Sequence, residues 1–387
     1  LSSVSGAGVT GLLLSWGAFL IGAATLTAQE SAAPTVDVRP FLQAPAAWEG
    51  QYGEYRSPLL FANGRPVNTP EDWARRRNEI LTDWHQQLGA WPPLITDQDF
   101  EILETTSRDQ ITQHQVRFRW LPEETTTGYL LIPDSKGPLP AVITVYYEPE
   151  TAIGLGEPFR DFAYQLARRG YVTLSIGTKE TSAAQTYSLY YPNREQATIQ
   201  PLSTLAYAAA NAWHVLARRP EVDQNRIGIV GHSYGGKWAL FASCLFDRFA
   251  CAVWSDPGIV FDESRSSVNY WEPWYLGYEP GVWRKRGMIS RENPATGLYP
   301  RLITSGHNLH ELHALMAPRP FLVSGGSEDP PERWVALNHT VAVNRLLGVT
   351  DRVGMTNRPE HAPNELSNSQ IYAFFDLWLK SDTTPVP

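Results

Sequence analysis

From about Leu139 onward the chain alternates short apolar runs with amphipathic stretches, and that alternation predicts an α/β fold. Its core is a mostly parallel central sheet covered by helices on both faces. Two observations carry the prediction. The apolar runs are short and wholly hydrophobic, as strands buried on both faces must be. One long stretch, from Pro257 to Ser305, breaks the rhythm and is dense in aromatic residues.

The elements follow in order. Val9 to Leu26 is an apolar run ending near Thr27-Ala28-Gln29, which reads as a signal peptide over residues 1–28 cleaved after Ala28, with a membrane anchor as the rival. Residues 29–66 are rich in Pro, Ala and Gly and form an arm; with the helix that follows, residues 29–110 pack on the main domain. That helix opens at Thr69-Pro70-Glu71-Asp72, where an N-cap, a proline at N1 and two acids meet, and closes before Gly89. Gln110 to Leu121 alternates as a half-buried strand does, and Gly128 to Ile132 reads as its partner.

The main domain spans 111–387, with strands at Ala141–Val145, Tyr171–Ile176, Arg226–Val230, Ala250–Trp254, Pro320–Val323 and Arg352–Met355. Helices are expected at Pro158–Arg169, Leu202–Leu216, Gly235–Leu245, Glu332–Leu347 and Gln370–Lys380. The segment at about 257–305 is a lid-like insertion over the site, because long irregular segments in compact domains usually serve binding.

Composition narrows the function classes. The chain has 387 residues, 43% of them hydrophobic, and a net charge of −8 with no Lys/Arg run, which argues against a nucleic-acid partner. Cys244 and Cys251, the two cysteines, lie in apolar surroundings and read as buried thiols. His307, His310 and His313 have a metal-like spacing, but without the H-E-x-x-H pattern they read as structural; no metal and no organic cofactor is expected.

The chemistry concentrates at Gly231-His232-Ser233-Tyr234-Gly235-Gly236-Lys237, between a buried strand and a helix. A G-x-S-x-G stretch in that context is a nucleophile elbow, a tight turn that leaves the serine exposed, and it makes the fold an α/β-hydrolase. The glycines at 231 and 235 leave room for the turn, and His232 is expected to point back under the sheet. A serine nucleophile needs a base and an acid, in the chain order Ser, acid, His. His361 is the base. Asp329, just past a strand end, is the first choice of acid; Asp256, after the preceding strand, is the alternative. The oxyanion donors are the Tyr234 amide and that of Tyr146 or Tyr147.

With these residues in view the chain resembles α/β-hydrolase carbohydrate esterases, in particular bacterial glucuronoyl esterases and acetyl xylan esterases. The resemblance rests on the elbow, on His310-Glu311-Leu312 leading to Ala317-Pro318-Arg319-Pro320, and on Arg358-Pro359-Glu360-His361. It implies a serine esterase acting on small-molecule or polysaccharide esters, and the apolar N-terminal run adds a secreted or periplasmic location. It also implies that Lys237 contacts sugar hydroxyls, and that Trp271 or Trp274 supplies an aromatic contact. Tyr234 stands where glucuronoyl esterases carry an arginine, so the ester is left open. A peptidase of prolyl-oligopeptidase type, or a non-catalytic binding protein of the same fold, are the other readings.

Overall fold

A computed structural model describes residues 36–381; the predicted signal segment lies outside them. Among the described residues no helix is long and apolar enough to cross a membrane. Among the described residues nine strands form one sheet in the order β1-β2-β3-β5-β4-β6-β7-β8-β9. They are β1 (Glu101–Arg108), β2 (Ile111–Leu121), β3 (Glu124–Pro133), β4 (Leu139–Tyr146), β5 (Val172–Gly177), β6 (Val222–His232), β7 (Cys251–Ser255), β8 (Phe321–Gly325) and β9 (Val353–Asn357). The first three strands and the β3–β5 pair are antiparallel, and every pair from β5 to β9 is parallel.

The helices are α1 (Pro70–Leu88), α2 (Phe162–Arg168), α3 (Lys179–Ala183), α4 (Pro201–Ala217), α5 (Tyr234–Leu245), α6 (Tyr299–Thr304), α7 (His310–Ala314), α8 (Trp334–Leu346) and α9 (Glu365–Phe375). Alternation along each parallel strand divides the core in two, because successive side chains point to opposite faces. Ile143, Ile229, Trp254 and Val323 join α1, α4, α5 and α8 in the larger cluster. Val142, Val230, Val253 and Leu322 pack with α2 and α9 on the other face. Apolar runs with no polar face were therefore correct signals of doubly covered strands.

Some elements depart from expectation. β1 was not foreseen: residues Glu101 to Ser107 are all exposed, so this edge strand carries no buried face to imprint a period of two. The helix expected from Pro158 starts only at Phe162, since Phe159 takes a left-handed backbone with φ 63° that no helix allows. The last helix starts earlier than expected, at Glu365, fixed by a capping box between Asn364 and Ser367.

The cap of α1 is as read: Thr69 Oγ1 accepts from Asp72 N at 3.1 Å. Side chains of the main domain hold the arm before it. His310 Nε2 meets the Arg56 carbonyl at 2.6 Å, Asn338 donates to Trp48 O and Gln51 O, and His339 Nε2 meets Tyr52 O at 3.0 Å. His307 pairs with Glu311 at 2.6 Å, and His313 lies against the Trp254 ring. These histidines are structural in their contacts. Cys244 and Cys251 are buried free thiols.

β4 has β5 on one side and β6 on the other, so the chain order reverses there and a crevice opens at the strands' carboxyl ends. Ser233 and Tyr146 both stand at that end. The approach is close enough to exclude any side chain at Gly235, where a Cβ would fall on the Val145 carbonyl oxygen. Gly235→Ala is therefore expected to destabilise the protein by about 1–3 kcal/mol through overpacking. Urea unfolding reads this as a lower midpoint at constant m-value; an unchanged midpoint would contradict the packing.

Candidate active site

Ser233 sits between β6 and α5 with φ 56° and ψ −113°, a backbone region that non-glycine residues rarely occupy. The surrounding structure holds it there: its N–H donates to Ser255 O at 2.8 Å, and its carbonyl accepts from Lys237 N at 3.0 Å. Observed strain of this kind marks sites where geometry serves chemistry.

From the Ser233 hydroxyl a chain of hydrogen bonds runs inward. Ser233 Oγ lies 2.8 Å from His361 Nε2, and His361 Nδ1 lies 2.7 Å from Asp256 Oδ2. The His361 side chain is 36% exposed, whereas that of Asp256 is wholly buried. An open imidazole backed by a sheltered carboxylate can pass a proton at its outer nitrogen while its orientation stays fixed.

The acid on the imidazole is thus Asp256, and the first choice made from sequence, Asp329, is corrected. Both aspartates follow parallel strands and both reach the same corner, which is why spacing could not separate them. Asp329 turns its carboxylate toward the segment after β7, where it accepts from Gly258 N at 2.8 Å and Ile259 N at 2.6 Å. Asp256 turns the other way. Its Oδ1 accepts from Gly326 N at 2.6 Å and Asp329 N at 2.9 Å, the Glu328 amide is shared between Oδ1 at 3.2 Å and Oδ2 at 3.3 Å, and Oδ2 faces His361. Burial pushes the Asp329 carboxyl well above the usual carboxylate range, and the neighbouring Asp256 charge adds to the rise. Gly326 has no room for a side chain: a Cβ there would meet the Glu360 carbonyl and, at 2.6 Å, Asp256 Oδ2.

His232 does not point under the sheet. Its ring centroid is 4.7 Å from that of His361, and its Nδ1 lies 3.1 Å from Ser255 Oγ. Burial, with the nearby His361, Arg358 and Arg160, draws its pKa well below the usual imidazole value.

Tyr234 heads α5, and the first amides of a helix have no intrahelical partner. Its ring stacks on that of Tyr147, with centroids 4.4 Å apart and planes within 11° of parallel. Tyr146 ends β4, and its ring faces His232 at 6.5 Å. The three tyrosines named from sequence therefore come together beside Ser233.

Two residues implied to contact substrate are engaged elsewhere. Lys237 is 3% exposed; its Nζ donates to Pro257 O at 2.5 Å and lies over the Tyr270 and Tyr275 rings at 4.9 and 5.5 Å. Burial draws this ammonium down to about 8, against the opposing pull of Asp329, Glu328 and Asp256. Trp271 is fully buried and donates from Nε1 to Gly287 O at 3.0 Å. It belongs to the core of the insertion, next to the buried Glu272–Arg284 pair at 3.2 Å. Trp274 is buried as well, at 5% exposed; its ring meets Tyr187 at 5.2 Å, Tyr187 meets Tyr147 at 6.5 Å, and the exposed Arg286 guanidinium lies 5.6 Å from both the Trp274 and Tyr187 rings. Tyr187 and Arg286 were not singled out from sequence, since neither sits in a motif.

Comparison with known proteins agrees with this architecture. Residues 208–331 match the prolyl oligopeptidase family and residues 126–261 the dienelactone hydrolase family. A 4-O-methyl-glucuronoyl methylesterase from Phanerochaete carnosa is 24% identical over 349 residues, covering 83% of this chain and 80% of the relative. A glucuronoyl esterase from Solibacter usitatus superposes with a TM-score of 0.66 at 18% identity, covering 84% of this chain and 98% of that one. A carbohydrate esterase family 15 glucuronoyl esterase from Caldicellulosiruptor kristjansonii superposes at 0.60 and 21%, covering 87% and 93%.

The core position of Trp271 yields a test. Trp271→Ala is expected to cost about 3–5 kcal/mol of stability, as truncation of a buried tryptophan does. A side chain that only touched substrate would instead leave the unfolding midpoint in place and change KM. The chain has the α/β-hydrolase fold, and its sequence is similar over most of its length to carboxylic ester hydrolases.

Proposed function

We propose that this carboxylic ester hydrolase acts on carbohydrate esters, with Ser233, His361 and Asp256 as its triad. The observation that carries the reading is the unbroken hydrogen-bond chain from the strained Ser233 through His361 to a buried carboxylate. Similarity to glucuronoyl methylesterases supports the substrate class.

In this mechanism Ser233 Oγ attacks the ester carbonyl carbon while His361 Nε2 takes its proton. Negative charge develops on the carbonyl oxygen, where the Tyr234 N–H and an amide of Tyr146 or Tyr147 stabilise it. His361 then returns the proton to the departing alcohol. Water, deprotonated by the same imidazole, hydrolyses the acyl-enzyme. Asp256 keeps the imidazole in the tautomer that presents a free Nε2 and stabilises it when charged. The half-buried Tyr187 and Tyr147, beside the buried Trp274, offer ring surface against which the apolar side of a sugar can pack. The apolar run at Val9–Leu26 supports export of the protein to the secreted or periplasmic space, where such polymers are met.

A serine-directed phosphonate should label the wild type and fail on Ser233→Ala. Among the acids, Asp256→Asn is expected to lower kcat by about 10⁴-fold, as loss of the tautomer-holding carboxylate does. Asp329→Asn should lower it far less, because its carboxylate holds a loop and not the imidazole. Equal losses would return the assignment to an acid pair acting together. Turnover of glucuronate methyl esters against acetylated xylosides identifies the ester, and cleavage of peptide amides with neither ester turned over would overturn the substrate class.

A further inference from the structure

His361 hangs on a segment without regular structure, between the end of β9 at Asn357 and the start of α9 at Glu365. Nothing in that segment's own hydrogen bonding resembles a ladder, yet the imidazole must meet Ser233 and Asp256 at once. Arg358 bridges the gap. Its backbone N–H donates to Gly325 O at 3.0 Å, and its side chain turns back into the protein, where the residue is 7% exposed.

The guanidinium there distributes its N–H groups over two sets of oxygens. Nε donates to Ala362 O at 2.9 Å and one terminal nitrogen donates to His361 O at 2.6 Å, which takes the carbonyl of the base itself and that of the next residue. The other terminal nitrogen donates to Ser324 O at 2.8 Å, Ser324 Oγ at 3.1 Å and Gly325 O at 3.3 Å, at the end of β8. A longer contact of 3.4 Å reaches Ser255 Oγ at the end of β7, and that hydroxyl also meets His232 Nδ1 beside the His361 ring. Every partner is a carbonyl or hydroxyl oxygen. Asp256, Asp329 and Glu360 lie near enough to oppose the downward pull of burial on this cation.

We infer that Arg358 is a positioning residue for the base: its planar fork clamps the His361 backbone to the ends of β7 and β8, so that the imidazole stays aligned between Asp256 and Ser233. The inference rests on the triad proposed above. A fork is required because the two sets of oxygens lie on opposite sides of one planar group, and a lysine ammonium carries the charge but cannot span both. The clamp also ties the base to the strand ends that carry the acid, so base and acid move as one unit.

The test compares full-length wild type, Arg358→Met and Arg358→Lys, with functional sites counted by phosphonate titration and turnover measured on the same ester. In Arg358→Met, kcat per titrated serine should fall about 10²-fold, the scale of loss for a reacting group displaced by about an ångström. KM should stay within about twofold. Arg358→Lys should recover part of kcat, as a retained cation reaching one set of oxygens would. A role in folding alone would lower the unfolding midpoint and the titratable fraction but leave kcat per titrated serine at the wild-type value; that outcome overturns the inference, as does a loss carried by KM. If Arg358→Met does not fold, Arg358→Lys decides by the same measure. Wild type that fails to titrate removes the triad reading and this inference with it. Wild type that titrates beside Arg358 variants of normal kcat removes only the positioning role.

Discussion

Two carboxylates meet across the ends of β7 and β8, and each is solvated by the backbone of the other's loop. Asp256 receives amides of residues 326, 328 and 329, and Asp329 receives amides of 258 and 259. Buried carboxylates are costly unless their lone pairs are met by donors, and five backbone N–H groups that would themselves be orphaned supply them. The exchange locks two loops into one block. That block turns one carboxylate oxygen, Asp256 Oδ2, toward His361, and the remaining parts of the site are arranged around it.

The charges beneath the block are organised in the same way. Lys237 reaches the Pro257 carbonyl from α5, and Arg358 reaches the oxygens of β8 from the far side. Neither makes a direct bond to the acids. Both supply positive potential at a short remove while their hydrogen bonds go to backbone oxygens, so the acids keep their amide partners and their directions. A direct ion pair to Asp256 would compete for the oxygen that His361 uses.

Much of this was legible in the sequence, and what was not has physical causes. Doubly covered strands give apolar runs, and the elbow glycines announce a close approach, so the sheet and Ser233 could be read directly. His361 followed from chain order. The choice between Asp256 and Asp329 could not follow, because both lie one residue or a few past a strand end and only the direction of a side chain separates them. Lys237 and Trp271 were assigned by resemblance, and the structure engages both with backbone carbonyls of the insertion instead. β1 left no signal because an exposed edge strand has no buried face. Arg358 was visible only as part of a motif, since a residue that acts through carbonyl oxygens has no partner that a sequence can show.

The insertion carries a consequence for recognition. Trp271, Glu272 and Arg284 give it an interior of its own, with Arg284 and Glu272 almost fully buried and Gly287 held from two sides. A loop with such a frame has already lost its conformational entropy in the free protein, so a ligand meeting its rim is not charged for ordering it. Trp283 and Arg286, exposed beside that frame, are free to change without disturbing it.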